Sequence, residues 1–264
     1  MKYLKNILIL TCLLISTFVN AQTISDYLTG TIYSLNVDHF TSGDDLVLHN
    51  ELVIDNISGI DGIISADNIF NIRGAKVDGF HSESEGLRHY SFDADTRIGA
   101  TVIFKSDIVI CNDDACSAPS LFFSAAAESM KGVNINAFTI DPDNGELLFS
   151  IESAATIDGI GYLPGDIIRY SSDGDFSLEY NSFSASGGFA LNRNIDGLTL
   201  LPNGYYLVSF VNEVARNYIY EYHPPSDSWD VAYTPLGLGN NGGSLNINSL
   251  MGFENDLIFK NGFQ

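Results

Sequence analysis

The stretch Asn136–Ile168, NAFTIDPDNGELLFSIESAATIDGIGYLPGDII, decides the fold. It opens on an Asn at the head of a short apolar strand. Pro142, Asp143, Asn144 and Gly145 supply turn chemistry, and a second apolar run ends in Ser150. An apolar loop then leads to Asp166 and a third strand beginning Ile167-Ile168. Alternating or β-branched runs of this length, punctuated by Gly, Pro, Asn and Asp, read as strands and not helices.

The same order of signals returns along the chain. The opening motif occurs as Val37-Asp38-His39-Phe40, Val77-Asp78-Gly79-Phe80, Ile135-Asn136-Ala137-Phe138, Ile195-Asp196-Gly197-Leu198 and Ile247-Asn248-Ser249-Leu250. Ser91, Ser150 and Ser209 each close an apolar run, and Asp67, Asp107 and Asp166 each precede a later one. Units of three or four strands at spacings of about 40–60 residues read as blades of a β-propeller. The last unit runs out after two strands, and Ile24–Leu35 stands ahead of the first motif, so the termini are expected to share a blade. The count is five blades with terminal strand closure; an irregular propeller or a β-sandwich is the alternative, with a right-handed solenoid behind both. The first unit is tight, since only Arg73, Gly74, Ala75 and Lys76 separate Ile72 from Val77.

The run Ser120–Tyr170, SLFFSAAAESMKGVNINAFTIDPDNGELLFSIESAATIDGIGYLPGDIIRY, resembles repeats in uncharacterised secreted bacterial proteins. Those repeats share an aromatic strand ending Phe-Phe, a Pro-Asp-Gly turn, a Leu-Leu-Phe-Ser strand and a Gly-Asp-hydrophobic strand. The likeness covers Ser120–Gly204 best. It implies export and a propeller-like repeat fold and transfers no activity. Many such proteins carry a PEP-type C-terminal sorting tail; nothing after Phe259 has an apolar span with a basic flank.

Residues 1–21, MKYLKNILILTCLLISTFVNA, combine Lys2 and Lys5, an apolar run over Ile7–Val19 and the small-residue end Val19-Asn20-Ala21. That is a signal peptide, with cleavage leaving a single domain over 22–264. The apolar run is too short to span a bilayer. Formal charge is −21 for the whole chain; without Lys2 and Lys5, ten basic residues face 33 acidic ones, giving −23. Such acidity excludes nucleic acid and anionic membranes as partners and suits a secreted or periplasmic protein. Cys111 and Cys116 flank Asn112-Asp113-Asp114-Ala115 at a hairpin tip and are expected to form a disulfide.

A once-per-blade ring of oxygen ligands, Asp38, Asp78, Asn136, Asp196 and Asn248, is the candidate Ca²⁺ site near the channel. Against it stands the plainer expectation that a residue repeated in every blade holds turns. The long loops Leu52–Ala66, Ala94–Ser106 and Ser153–Gly165 are candidates for a binding rim, with Arg97, Phe104, Lys105 and Tyr162 as its binding residues. The five histidines show no HExxH spacing, no Ser lies in a GxSxG elbow, and paired acids fall in turns. The sequence therefore reads as an exported binding or interaction module for a glycan, small molecule or protein. The alternative is a secreted hydrolase with a metal or carboxylate site in the central channel.

Overall fold

The structure, a computed structural model, describes residues 76–83, 87–112, 118–128, 130–185, 189–190, 193–211 and 218–232 in full. It describes the backbone alone at 30–35, 39–40, 46–47, 51–56, 59–65, 233 and 247–253. Asp38, Asp67 and Cys116 lie outside the described residues, as do residues 1–21.

Strands dominate the described residues, with a 3₁₀ turn at Pro224–Ser226. The first sheet holds β1 (Gly30–Leu35), β4 (Glu51–Asn56) and β5 (Gly59–Ser65), with a two-stranded ladder of β2 (His39–Phe40) and β3 (Leu46–Val47) in the connection from β1 to β4. The second holds β6 (Val77–Ser82), β7 (Arg88–Phe92), β10 (Ile108–Cys111) and β11 (Ser120–Phe123), with the hairpin β8 (Thr96–Ile98) and β9 (Thr101–Ile103) inserted after β7. The third repeats this with β12 (Ile135–Ile140), β13 (Leu147–Ile151), the hairpin β14 (Ala155–Ile157) and β15 (Ile160–Tyr162), β16 (Ile167–Tyr170) and β17 (Phe176–Tyr180). The fourth is β18 (Asn194–Leu200), β19 (Tyr206–Val211), β20 (Ile219–His223) and β21 (Ser228–Tyr233). The last strand, β22 (Ile247–Phe253), returns to pair antiparallel with β1, so that the first sheet runs β22-β1-β4-β5.

The described residues thus group into four four-stranded sheets where the repeat count reads five. The difference has a local cause. Val37-Asp38-His39-Phe40 matches an opening motif, but His39-Phe40 belongs to the ladder inserted between β1 and β4, the position that β8–β9 and β14–β15 occupy in the next two sheets. The first and fifth sequence units therefore merge into one sheet. Within the first sheet β1 pairs antiparallel with β22. Strands β22, β6, β12 and β18, the first of each sheet, come together in that cyclic order.

Burial explains the composition of the inner strands. Every residue of β12 and β13 is buried, which a two-layer sandwich with one wet face does not require. Leu147, Phe149 and Ile151 join a cluster with Ile108, Phe123 and Met130 of the preceding region, whereas Leu148 joins Ile195, Leu198 and Phe210 of the following sheet. Both faces of the third sheet are covered, so its strands read as continuous apolar runs. Farther out the cover ends: β17 keeps only its terminal Phe176 and Tyr180 buried.

Close approach at the centre demands small residues. A Cβ on Gly79 would collide with the Phe138 ring and lie 2.6 Å from Ser91 Oγ. Gly79 is the hole into which the next sheet inserts its aromatic knob.

Candidate functional site

Each inner strand breaks register near its start, at its second or third residue. The ladder shifts between Val77 and Gly79, between Ile135 and Ala137, and between Ile195 and Gly197. In β22 the partners of Leu35 and Ser34 are Ile247 and Ser249, which skips Asn248. Asp78, Asn136, Asp196 and Asn248 are therefore bulge residues, one per inner strand. A bulge re-aims side chains: Ile135 and Phe138, three apart, fall in one cluster, and Ala137 falls in the other.

The bulge side chains reach across sheets. Asn134 Nδ2 donates to Asp78 Oδ2 at 3.0 Å, tying the third sheet to the second. Asn136 Nδ2 donates to Asp196 Oδ1 at 3.0 Å and to the Ile195 carbonyl at 2.6 Å, with Asn194 Oδ1 at 3.4 Å, tying the third sheet to the fourth. Asp78 and Asp196 are each only 4% exposed. The Asn134 Oδ1 acceptor, also buried, has no donor among the described residues. Burial pushes the Asp78 carboxyl up to about 8; Asn134 counteracts this, Asp93 and Glu152 add to it, and Lys76 opposes it. Glu152 is exposed and Asp93 half-buried, so acids line the approach to this buried group.

The expectation that recurring polar residues hold turns of their own blade fits a different set. Asp107 accepts from the Phe104 and Ala125 amides at 3.0 and 3.1 Å. Asp166 accepts from the Leu163 and Ser182 amides, both at 2.8 Å, and from Ser182 Oγ at 2.7 Å. Ser150 Oγ donates to the Pro164 carbonyl at 2.8 Å. Asn136, by contrast, holds a neighbouring sheet. The Asn248 side chain lies outside the described residues, and no group of three or more His, Cys, Asp or Glu placed to hold a metal occurs among the described residues.

Of the four rim candidates, Arg97, Phe104 and Lys105 lie on or just after the β8–β9 hairpin and Tyr162 on β15 of the next sheet. Arg97 is exposed on β8, and Phe104 is half-buried with Lys131 Nζ 5.8 Å from its ring centroid. The Lys105 backbone is structural: its N–H donates to Asp95 Oδ1 at 3.0 Å and its carbonyl accepts from Ile135 at 3.3 Å. Tyr162 sits in the core at 1% exposure, its hydroxyl without a partner among the described residues. Two of the loops offered as a binding rim, Ala94–Ser106 and Ser153–Gly165, hold matching hairpins, with Ile98, Ile103, Ile157 and Tyr162 buried.

Sequence reasoning missed Asn134 and Asn194. The signal was present two positions upstream of each bulge: Asn134-Ile135-Asn136, Asn194-Ile195-Asp196 and Asn246-Ile247-Asn248, against Lys76-Val77-Asp78. It also missed Arg169. Its Nη1 donates to Asp141 Oδ2 and Glu146 Oε2, both at 2.8 Å, and its Nε to Glu179 Oε2 at 2.9 Å. Tyr206 of the fourth sheet donates its hydroxyl to Glu179 Oε1 at 2.8 Å. Burial would raise the Glu179 carboxyl, but Arg169 and Tyr206 together hold it below its ordinary value. Elsewhere, cross-strand partners His81 and His89 face each other with ring centroids 5.9 Å apart. Burial lowers them to about 3 and about 4, with His89 adding to the effect on His81.

No family model matches the chain, and no curated protein does. Among solved structures it is similar to an auxiliary nutrient binding protein from Bacteroides thetaiotaomicron, at 16% identity and a TM-score of 0.35, over 76% of this chain and 41% of that one. It is similar to a protein of unknown function from Bacteroides caccae, at 10% identity and 0.35, over 76% and 71%. A streptogramin B lyase gives 14% and 0.31, over 84% and 59%. The chain thus spans about two fifths of the nutrient binding protein's length. No helix among the described residues is long and apolar enough to cross a membrane.

Proposed function

We propose that the chain is an exported binding module, a four-bladed propeller closed by the β1–β22 pairing, whose ligand face is the end where the inner strands begin. The signal segment over residues 1–21 and the acidity of the chain support export. The observation that carries the site is the cross-sheet pairing of Asp78 with Asn134. It places a buried carboxyl beside an amide acceptor that lacks a donor, with Asp93 and Glu152 on the approach. Buried polar groups left short of partners at a convergence of elements are what a ligand satisfies. The acids favour a ligand that is cationic or rich in hydrogen-bond donors.

The test is a binding screen of the mature protein against glycans, amines and small metabolites, with Glu152→Gln as comparison. A ligand whose affinity drops in that variant supports the face; binding unaffected by it and by Asp78→Asn places the ligand elsewhere. Calcium is one cation such a face would take. Melting with EDTA and with excess Ca²⁺ separates the curves if it does, and superimposed curves remove it. The hydrolase reading draws on one observation, the Asp78 carboxyl raised to about 8, because a group of that kind serves as a general acid. Turnover of any glycoside or ester that vanishes in Asp78→Asn is its test. Cys111, buried at the end of β10, is proposed to pair with Cys116.

A further inference from the structure

The repeat that builds the sheets is broken at one cross-strand pair. In the third sheet Thr139 of β12 lies opposite Leu148 of β13, and in the fourth Thr199 of β18 lies opposite Leu207 of β19. The same register position of the second sheet, three residues past the bulge, pairs His81 of β6 with His89 of β7. Packing asks only for what the other two sheets supply, a small hydroxyl residue against a leucine, all four of them buried. Two imidazoles in that place need another reason.

Residues directly opposite on an antiparallel pair share a face, and the two ring centroids stand 5.9 Å apart. His89 is 0% exposed, and neither of its ring nitrogens has a hydrogen-bond partner among the described residues. A buried nitrogen left in that state is one that a ligand completes. His81 Nδ1 lies 3.4 Å from Thr139 Oγ1, a hydroxyl that itself accepts from the Leu200 N–H at 3.4 Å. With the proton on Nδ1 donated to that hydroxyl, Nε2 keeps its lone pair, which is how metal-bound histidines are oriented. Glu83 Oε1 is 3.8 Å from His89 Nε2, and the Glu83 side chain is 41% exposed, so an acid stands between the pair and solvent. Phe122 packs edge-on against His89 at 4.7 Å.

We infer that His81 and His89 form a binding site for a divalent transition-metal ion of the copper or zinc kind, one nitrogen of each ring serving as ligand. With metal–nitrogen distances of about 2.0–2.1 Å, two imidazoles on one ion hold their centroids roughly 5–6 Å apart, a range that contains the observed separation. Burial keeps both rings neutral at pH 7, with their lone pairs available. Imidazole suits both metals, and copper is the tightest-bound of the first-row divalent ions. Two side chains are fewer than the groups of three whose absence among the described residues is noted above, so the ion keeps positions open to water or to a further ligand. The pair sits toward the end of β6, away from Asp78 near its start, and does not depend on the ligand face proposed there.

The purified protein is stripped with EDTA and titrated with Cu²⁺ at pH 7, by calorimetry and by electron paramagnetic resonance. One bound ion whose spectrum shows coupling to two imidazole nitrogens is the expected result. His81→Thr with His89→Leu gives the second sheet the residues that its neighbours carry at the same register, so this variant is expected to fold. Loss of an outer partner alone costs about 10–100-fold in metal affinity, and loss of both nitrogens should cost about 100-fold or more. His223→Gln, on β20, should bind as the parent does. No bound ion, a spectrum without two coupled nitrogens, or undiminished affinity in the double variant overturns the assignment, as does a loss of binding in His223→Gln. The first two outcomes are read on the unaltered protein and need no variant.

Discussion

Replacing Asp78 by Asn should stabilise the protein at neutral pH and do nothing in acid. The carboxyl is raised from 3.8 to about 8, chiefly by burial. Between those values the folded state keeps a proton that the unfolded state releases. The protons bound in the unfolded state are then fewer than in the native one, so stability falls as pH rises from about 4 to about 8 and is flat outside that window. The slope is about 1.4 kcal/mol per pH unit for one group, which makes the cost about 4 kcal/mol at pH 7. Asn is neutral and of the same shape. Its carbonyl still accepts from Asn134 Nδ2. Urea titrations of both proteins from pH 4 to 8.5 should therefore coincide at the acid end and diverge upward, with the variant ahead by about 2–4 kcal/mol at pH 7. An Asp78→Asn protein weaker than the parent by a similar amount at every pH would refute this reasoning. It would mean that Asp78 is a carboxylate in the fold, with a cation compensating its charge.

Other expectations follow from the same contacts. His89→Phe should flatten the acid limb: a histidine lowered to about 4 lends stability above its ordinary value of 6.5 and loses it as pH falls from there. The limb should lose about 1.4 kcal/mol per pH unit of its slope, and an unchanged limb would count against a buried neutral imidazole. Gly79→Ala forces a Cβ against Phe138 and Ser91 and should cost about 1–3 kcal/mol, partly recovered by adding Phe138→Leu; an unaltered melt would mean that the sheets do not meet there. Arg169→Met leaves Asp141, Glu146 and Glu179 without their shared cation and should cost about 2–4 kcal/mol, less at high salt, where like charges are screened. Reducing the proposed Cys111–Cys116 bond should lower stability by about 2 kcal/mol, since the loop is short, and complete unfolding would contradict a core built from the inter-sheet clusters.

The strand content, the repeat and the turn-holding roles of Asp107 and Asp166 were legible because they depend on neighbours in sequence. Pro142-Asp143-Asn144-Gly145 announces its turn locally, and Gly145 indeed takes a positive φ of 74°. The starting point of the unit was not legible. Val37-Asp38-His39-Phe40 has the same composition as a true inner strand, and only the distant pairing of β22 with β1 assigns His39-Phe40 to an insert. The direction of Asn136 was hidden for a related reason. Its bulge turns it toward Asp196, 60 residues away, whereas a regular strand would have kept it among local partners. Tyr162 misled by type: an aromatic near a loop end reads as a rim residue until the hairpin is seen to fold inward.

The strand order of the first sheet also sets a timetable for folding. Its innermost strand, β22, is the last strand among the described residues, and Gly30 must wait for Phe253. Bringing ends so far apart in sequence together costs about 5 kcal/mol of chain entropy by the (3/2)RT ln n relation. The second, third and fourth sheets, built from consecutive strands, can assemble before that contact is made. Docking of β22 is then the late, slow event, and until it happens β1 presents an unpaired edge to any other chain nearby.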